Sequence, residues 1–282
     1  MLKLRWLIVV NRFINQNNMK KYCSFFCVLL FACSTQKLTT HDPVNPITGT
    51  DFYKTAVAYN WQKRDSFAVE VILDGNLPKF YKKFTPIHTS IIGPNQKTIH
   101  ATYFVASDYL VIGNDTDWAR IPLTPIAAQK IADSFHCFLP TKKMVDEIYS
   151  NSKVKLAPVP MYAFRDSTIT MWQHHLMIEG QRKGRKGLIS GIKKDVVLSN
   201  KIIQQAKTNK VAIYGWHLLN GKPIQPVYAG HVNWYADYSH GIRLVMDQVI
   251  VDGKKMNYQT VLRDSILRGL LTDETDPIFY RY

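Results

Sequence analysis

Apolar residues recur at helical spacing through the middle of the chain and in short alternating or continuous runs towards its ends. After Pro122-Leu123-Thr124-Pro125, the residues Ala128, Ile131, Phe135 and Phe138 fall on one face of a predicted helix. Thr124 is placed to cap it and Pro125 to occupy its first position, where the missing N–H costs nothing. A second helix is predicted from Thr141, with Met144, Val145, Ile148 and Tyr149 on one face, and a third over 166–180 carrying Trp172, His175, Leu176 and Glu179. Upstream, Asp51 to Trp61 reads as a helix, and the run Phe67 to Leu73 fits strand or helix equally. Ile99 to Val105 and Tyr109 to Ile112 read as strands joined in a tight hairpin by Ala106-Ser107-Asp108.

The last hundred residues change character. Val196-Val197-Leu198 and Val211-Ala212-Ile213-Tyr214 read as buried strands, and Ile242 to Val251 with Lys255 to Val261 as a hairpin about Asp252-Gly253. A short helix, Ser265 to Leu271, closes the chain. Helices in the middle and hairpins at both ends predict an α+β fold, one composite domain over 50–282.

Residues 1–32 predict an address. A basic start (Met19-Lys20-Lys21) precedes a dozen mostly apolar residues, too few to span a bilayer, and the order fits a secretory signal. Residues 1–18 hold a second basic and apolar stretch, redundant if Met19 is the start. Leu30-Phe31-Ala32-Cys33 resembles the lipobox of bacterial lipoproteins, which implies lipidation at Cys33, a membrane anchor and an extracytoplasmic location in the cell envelope. Residues 33–49, rich in Thr, Pro, Gln and Asn, read as the tether.

This address changes the charge. The whole chain has 36 Lys plus Arg and 21 Asp plus Glu, a net +15. Removing the five basic residues of the signal (Lys3, Arg5, Arg12, Lys20 and Lys21) leaves 31 basic against 21 acidic residues, a net +10. An envelope protein of that charge is expected to meet peptidoglycan or another anionic envelope polymer, with no nucleic acid partner. Of four cysteines, Cys23 and Cys27 leave with the signal and Cys33 is acylated, so Cys137 alone remains and no intramolecular disulfide is expected.

The densest polar and aromatic segment runs from Tyr214 to Arg243. It holds three of the nine histidines (His217, His231, His240) and two of the six tryptophans (Trp216, Trp234). Its Ser239-His240-Gly241 resembles the Ser-His-Gly-Cys signature of the L,D-transpeptidases of bacterial cell walls. The cysteine that resemblance requires is replaced by Ile242, and His217, 21 residues upstream, is followed by Leu218 instead of glycine. The likeness spans about 30 residues and does not carry the activity over. The mature region also looks like a family of uncharacterised secreted bacterial proteins, which brings no activity with it.

From the residues themselves, His217, Ser239, His240 and Asp237 are the catalytic candidates, with a histidine as base and Asp237 as its orienter. Arg243, Trp216, Trp234 and Tyr235 are the substrate-binding candidates, Arg243 by pairing with a carboxylate. His175 and Glu179, four apart on a helix, share a face and suit zinc, with His217, His231 or His240 and Asp195 or Asp237 as further ligands; without a His-Glu-x-x-His or a tight His-x-Asp spacing, no metal is assigned and no cofactor is named. Cys137 beside Phe135 and Phe138 reads as packing or as a thiol needing a cationic neighbour. The glycine-rich stretch from Gly180 to Asp195 carries six basic residues; it reads as an anion-binding flap over the aromatic segment or as a solvated loop. Two functions follow: a hydrolase or transferase acting on envelope glycan or peptide, or a non-catalytic binding lipoprotein holding an anionic polymer.

Overall fold

A computed structural model describes residues 36–204 and 209–282, which fall within one compact unit. The signal segment and Cys33 lie outside the described residues. The elements run α1 (Gly49–Ala56), α2 (Trp61–Leu73), β1 (Phe84–Ile92), β2 (Thr98–Ala106), β3 (Val111–Gly113), β4 (Trp118–Arg120), α3 (Pro125–Ser134), β5 (Cys137–Phe138), α4 (Lys142–Asn151), β6 (Val154–Lys155) and α5 (Thr168–Arg182). They continue as β7 (Ile189–Ser190), β8 (Lys194–Val197), α6 (Lys201–Gln204), β9 (Lys210–His217), β10 (Pro223–Val232), β11 (His240–Gly241), β12 (Val245–Met246), β13 (Gln248–Val251), β14 (Lys254–Asn257) and α7 (Tyr258–Arg263), before a 3-10 turn at Leu267–Leu270. The class is α+β.

Two sheets organise the fold. One has the order β14-β13-β2-β12-β5, with β1 also paired to β2; the other is β10-β9-β8-β11. All pairs in these sheets are antiparallel except β11 with β8. The predicted caps form: Thr124 accepts from Ala127 N–H with Pro125 at the first turn, and Thr141 accepts from Met144 N–H. Met144, Val145, Ile148 and Tyr149 are buried on one side of α4. The hairpin about Asp252-Gly253 also forms, both residues adopting the positive φ (44° and 83°) that its tight turn needs, but only over Gln248–Val251 and Lys254–Asn257; Tyr258 to Val261, expected in its second strand, belong to α7, which Asn257 caps.

Several expectations give way. Asn60 caps a new helix, accepting from Lys63 N–H, so Asp51 to Trp61 is not one helix but the end of α1 and the start of α2. Tyr109 to Ile112 does not pair with Ile99 to Val105. Leu110 N–H instead donates to Ile242 O and Ala106 N–H to Leu244 O, while β3 pairs with β4. The buried Asp108, accepting from Tyr109 N–H and from Arg120, holds the chain out of a hairpin. The strand that covers β2 is β1, registered from Phe84↔Ala106 to Ile92↔Thr98. Phe138 leaves the helix face for β5, where it stacks on Tyr258 at 4.0 Å. From residue 36 the expected tether is folded onto the body. Leu38 is buried and donates from N–H to Lys82 O, and Ile47 N–H donates to Asn76 Oδ1.

Candidate functional site

The turn from β10 into β11 gathers most of the candidate residues around Asp237. This carboxylate accepts from Ser239 N–H (2.8 Å) and Ser239 Oγ (2.6 Å) on one oxygen, and from Arg165 (2.9 Å) and Tyr235 OH (3.3 Å) on the other. Burial opposes its charge, but His240, the two Ser239 donors and Arg165 together hold it below the ordinary carboxylate value. His240 Nε2 lies 4.0 Å from Asp237, beyond hydrogen-bond range, and neither ring nitrogen has a partner. Burial pushes this imidazole down to about 4, so it is neutral at pH 7. Its ring faces Tyr235 edge-on at 5.8 Å and His231 at 6.0 Å. Trp216 joins from β9, 6.4 Å from Tyr238 and beneath the Lys194 ammonium.

The same geometry removes roles. Ser239 and His240 are both buried, and the Ser239 hydroxyl is spent on Asp237 instead of on a histidine, so it has no base. Gly241 completes the triplet for a packing reason, since a Cβ there would sit 2.5 Å from the Tyr109 ring and 2.6 Å from Lys193 Cβ. Arg243 does not line a cleft: it is fully buried, donates to Ala106 O (2.9 Å) and Ile189 O (2.7 Å), and lies over the Tyr109 ring at 4.1 Å. Tyr109 OH in turn donates to Asp195 at 3.0 Å; burial raises that carboxyl to about 6.

His217 stands elsewhere. Gly215 and His240 both register with Lys194, placing His217 two strands away and two residues along, roughly 12 Å between Cα atoms at ordinary strand spacings. It stacks on Tyr149 at 4.5 Å, and its Nε2 is 3.0 Å from Asp146 Oδ1. Asp146 also takes bonds from Lys142 (2.8 Å) and Tyr214 OH (2.7 Å). Burial works against its charge, but the His217, Lys142 and Tyr214 donors outweigh it and lower its pKa, so it accepts and His217 Nε2 carries the proton. The pair borders a cleft of about 490 Å3. The carboxylate that His217 pairs with is therefore Asp146 of α4, not Asp237. It lies 71 residues from its histidine and has no local signature.

His175 and Glu179 do converge, on a guanidinium. Arg120 Nη1 lies 3.5 Å from His175 Nδ1, which also accepts from the Arg120 backbone N–H (3.3 Å); Nη1 donates to Glu179 (2.7 Å), while Nε and Nη2 grip Asp108 at 2.8 and 2.6 Å. Burial and the Arg120 charge drive His175 well down. Lys193 donates to His174 Nδ1 (3.1 Å) and to Tyr238 O; burial lowers its ammonium to about 7. Among the described residues no group of three or more His, Cys, Asp or Glu is arranged to hold a metal ion. Cys137 is buried, its Sγ donating to Phe135 O at 3.3 Å, and burial pushes its pKa far up, the reverse of an activated thiol.

The basic loop divides. Lys193 and Lys194 are buried, whereas Arg182 and Lys186 reach a cleft of about 660 Å3 with Lys83 on its rim. Its aromatic wall is Phe80 against Trp118 (4.8 Å), with the Arg182 guanidinium over Trp118 at 5.0 Å and tied to Glu179 at 3.1 Å. The loop thus faces an aromatic pair from β4 and the turn before β1, not the segment from Tyr214 to Arg243. No protein-family model, curated protein or solved structure matches the chain. Among the described residues no helix is long and apolar enough to cross a membrane.

Proposed function

We propose that this protein is a bacterial envelope lipoprotein, anchored through an acylated Cys33, that holds an anionic glycan or peptide polymer without turning it over. The observation that carries the binding reading is the cleft in which Lys83, Arg182 and Lys186 surround the Phe80–Trp118 wall. Lys83 and Lys186 are exposed, and Asp115 on the same lining is paired with Lys79, so aromatic faces beside free cations suit a polymer with apolar faces and carboxylates, such as peptidoglycan. Burial of Ser239, His240 and Arg243 removes the nucleophile, base and carboxylate clamp that turnover at that turn requires.

Capture on purified peptidoglycan tests the reading. Binding by the wild type is expected to fall as salt rises, and to weaken several-fold in Lys83→Ala/Lys186→Ala, each exposed charge contributing about 0.2–1 kcal/mol. Capture insensitive to both would refute it. One observation favours a second reading, an envelope hydrolase or transferase: the His217–Asp146 pair at its own cleft, where Nδ1 is the ring nitrogen left to accept a proton. Muropeptide release by the wild type that His217→Ala abolishes would put the enzyme in place of the binder. Lipidation has its own test, since Cys33→Ala should lose membrane fractionation.

A further inference from the structure

A third cleft, of about 400 Å3, opens at the N-terminal end of α5, whereas the cationic cleft borders its C-terminal residue Arg182. Two remote segments build its walls: Tyr59 and Trp61 at the start of α2, and Trp234 and Tyr235 after β10. Trp234 is 43% exposed, and Tyr59, Trp61 and Tyr235 are half-buried. Four aromatic rings left in contact with water around one concavity forgo burial that large rings ordinarily obtain.

The balance of charge differs from that of the other cleft, where Lys83, Arg182 and Lys186 outnumber Asp108 and Asp115. Asp166 is exposed, and its carboxylate makes no hydrogen bond or ion pair among the described residues. Arg64, the one cation on the lining, is buried and turned onto Asp65 and the Asp166 carbonyl. The Lys63 ammonium lies over the Tyr59 ring at 4.1 Å, outside the lining, so the free charge on the lining itself is the Asp166 carboxylate and an entering anion meets no net positive field. A neutral polyhydroxylated ring meets what it needs: aromatic faces for its C–H face and a carboxylate to accept from its hydroxyls.

We propose that this cleft is a binding subsite for a neutral hexopyranose ring, separate from the anion-binding cleft. As the sugar-reading part of the polymer site it rests on the function proposed above, though its chemistry stands on its own residues. The test is calorimetric titration of the whole protein with a neutral N-acetylglucosamine oligomer at low and high salt. Wild type is expected to bind with an affinity unchanged by salt. Trp234→Ala and Tyr59→Ala should each weaken it roughly tenfold through the lost ring contact. Lys254→Ala, at an exposed position that lines neither cleft, should leave it unchanged. No heat with millimolar oligomer, or equal binding by wild type and both aromatic variants, would overturn the subsite. If the oligomer binds but peptidoglycan is not captured, the subsite stands and the polymer function falls.

Discussion

Replacing Asp108 with alanine strips the buried Arg120 guanidinium of its bidentate partner. Both side chains are about 1% exposed, and the two bonds lost measure 2.8 and 2.6 Å. Arg120 would keep Glu179, which is partly open to solvent, and the His175 ring. Hydrogen bonds to charged groups contribute about 1.5–3 kcal/mol each, and removing one member of a buried ion pair costs about 3–5 kcal/mol. The expected loss is therefore about 3–5 kcal/mol, a large part of the roughly 5–15 kcal/mol that holds a domain together. With a urea m-value near the upper end of about 1–3 kcal/mol/M, the midpoint should fall by roughly 1–2 M, read by tryptophan fluorescence. Asp108→Leu/Arg120→Met removes both charges and should be less destabilised than Asp108→Ala, because no buried cation is left alone. A midpoint within about 0.3 M of wild type for Asp108→Ala would refute the reasoning, as would a double variant less stable than the single.

Two further outcomes follow from burial. His240 titrates near 6.5 when unfolded and at about 4 when folded, so the unfolded chain binds the extra proton between those values and stability falls as pH drops from 6.5 to 4; His240→Gln should lose less stability over that window, measured by urea midpoints at each pH. Cys137, buried and with its thiol pKa raised, should react with an aromatic disulfide reagent only on unfolding, and fast reaction in native buffer would contradict its placement.

Legibility varied with the range of the interaction that decides each feature. Thr124-Pro125, Thr141 and Asp252-Gly253 act within a few residues, and their caps and turn appear where the sequence puts them. The partner of β2 was not legible, because Asp108 is read locally as a turn residue but is engaged by Arg120, twelve residues on. The site followed the same rule. The grouping of Trp234, Tyr235, Asp237, Ser239 and His240 was visible as composition, since those residues are neighbours in the chain. That Ser239 and His240 are buried was not, nor was the pairing of His217 with Asp146.

The α+β class, the caps, the turn of the terminal hairpin and the run of basic residues from the end of α5 were all legible in the chain, because each rests on periodicity, composition or contacts between near neighbours. The chain also contains the Cys33 motif on which the expected address rests. Tertiary structure decided what the charges do. Arg120, Lys193 and Arg243 were sent inward, where burial requires each to be satisfied by the fold itself, and Arg182 was tied to Glu179, while Lys83 and Lys186 were left exposed on an aromatic cleft. A positive charge reads the same in a sequence wherever it lies, and only the groups packed around it determine whether it binds the protein's own carboxylates and carbonyls or remains free to meet a ligand.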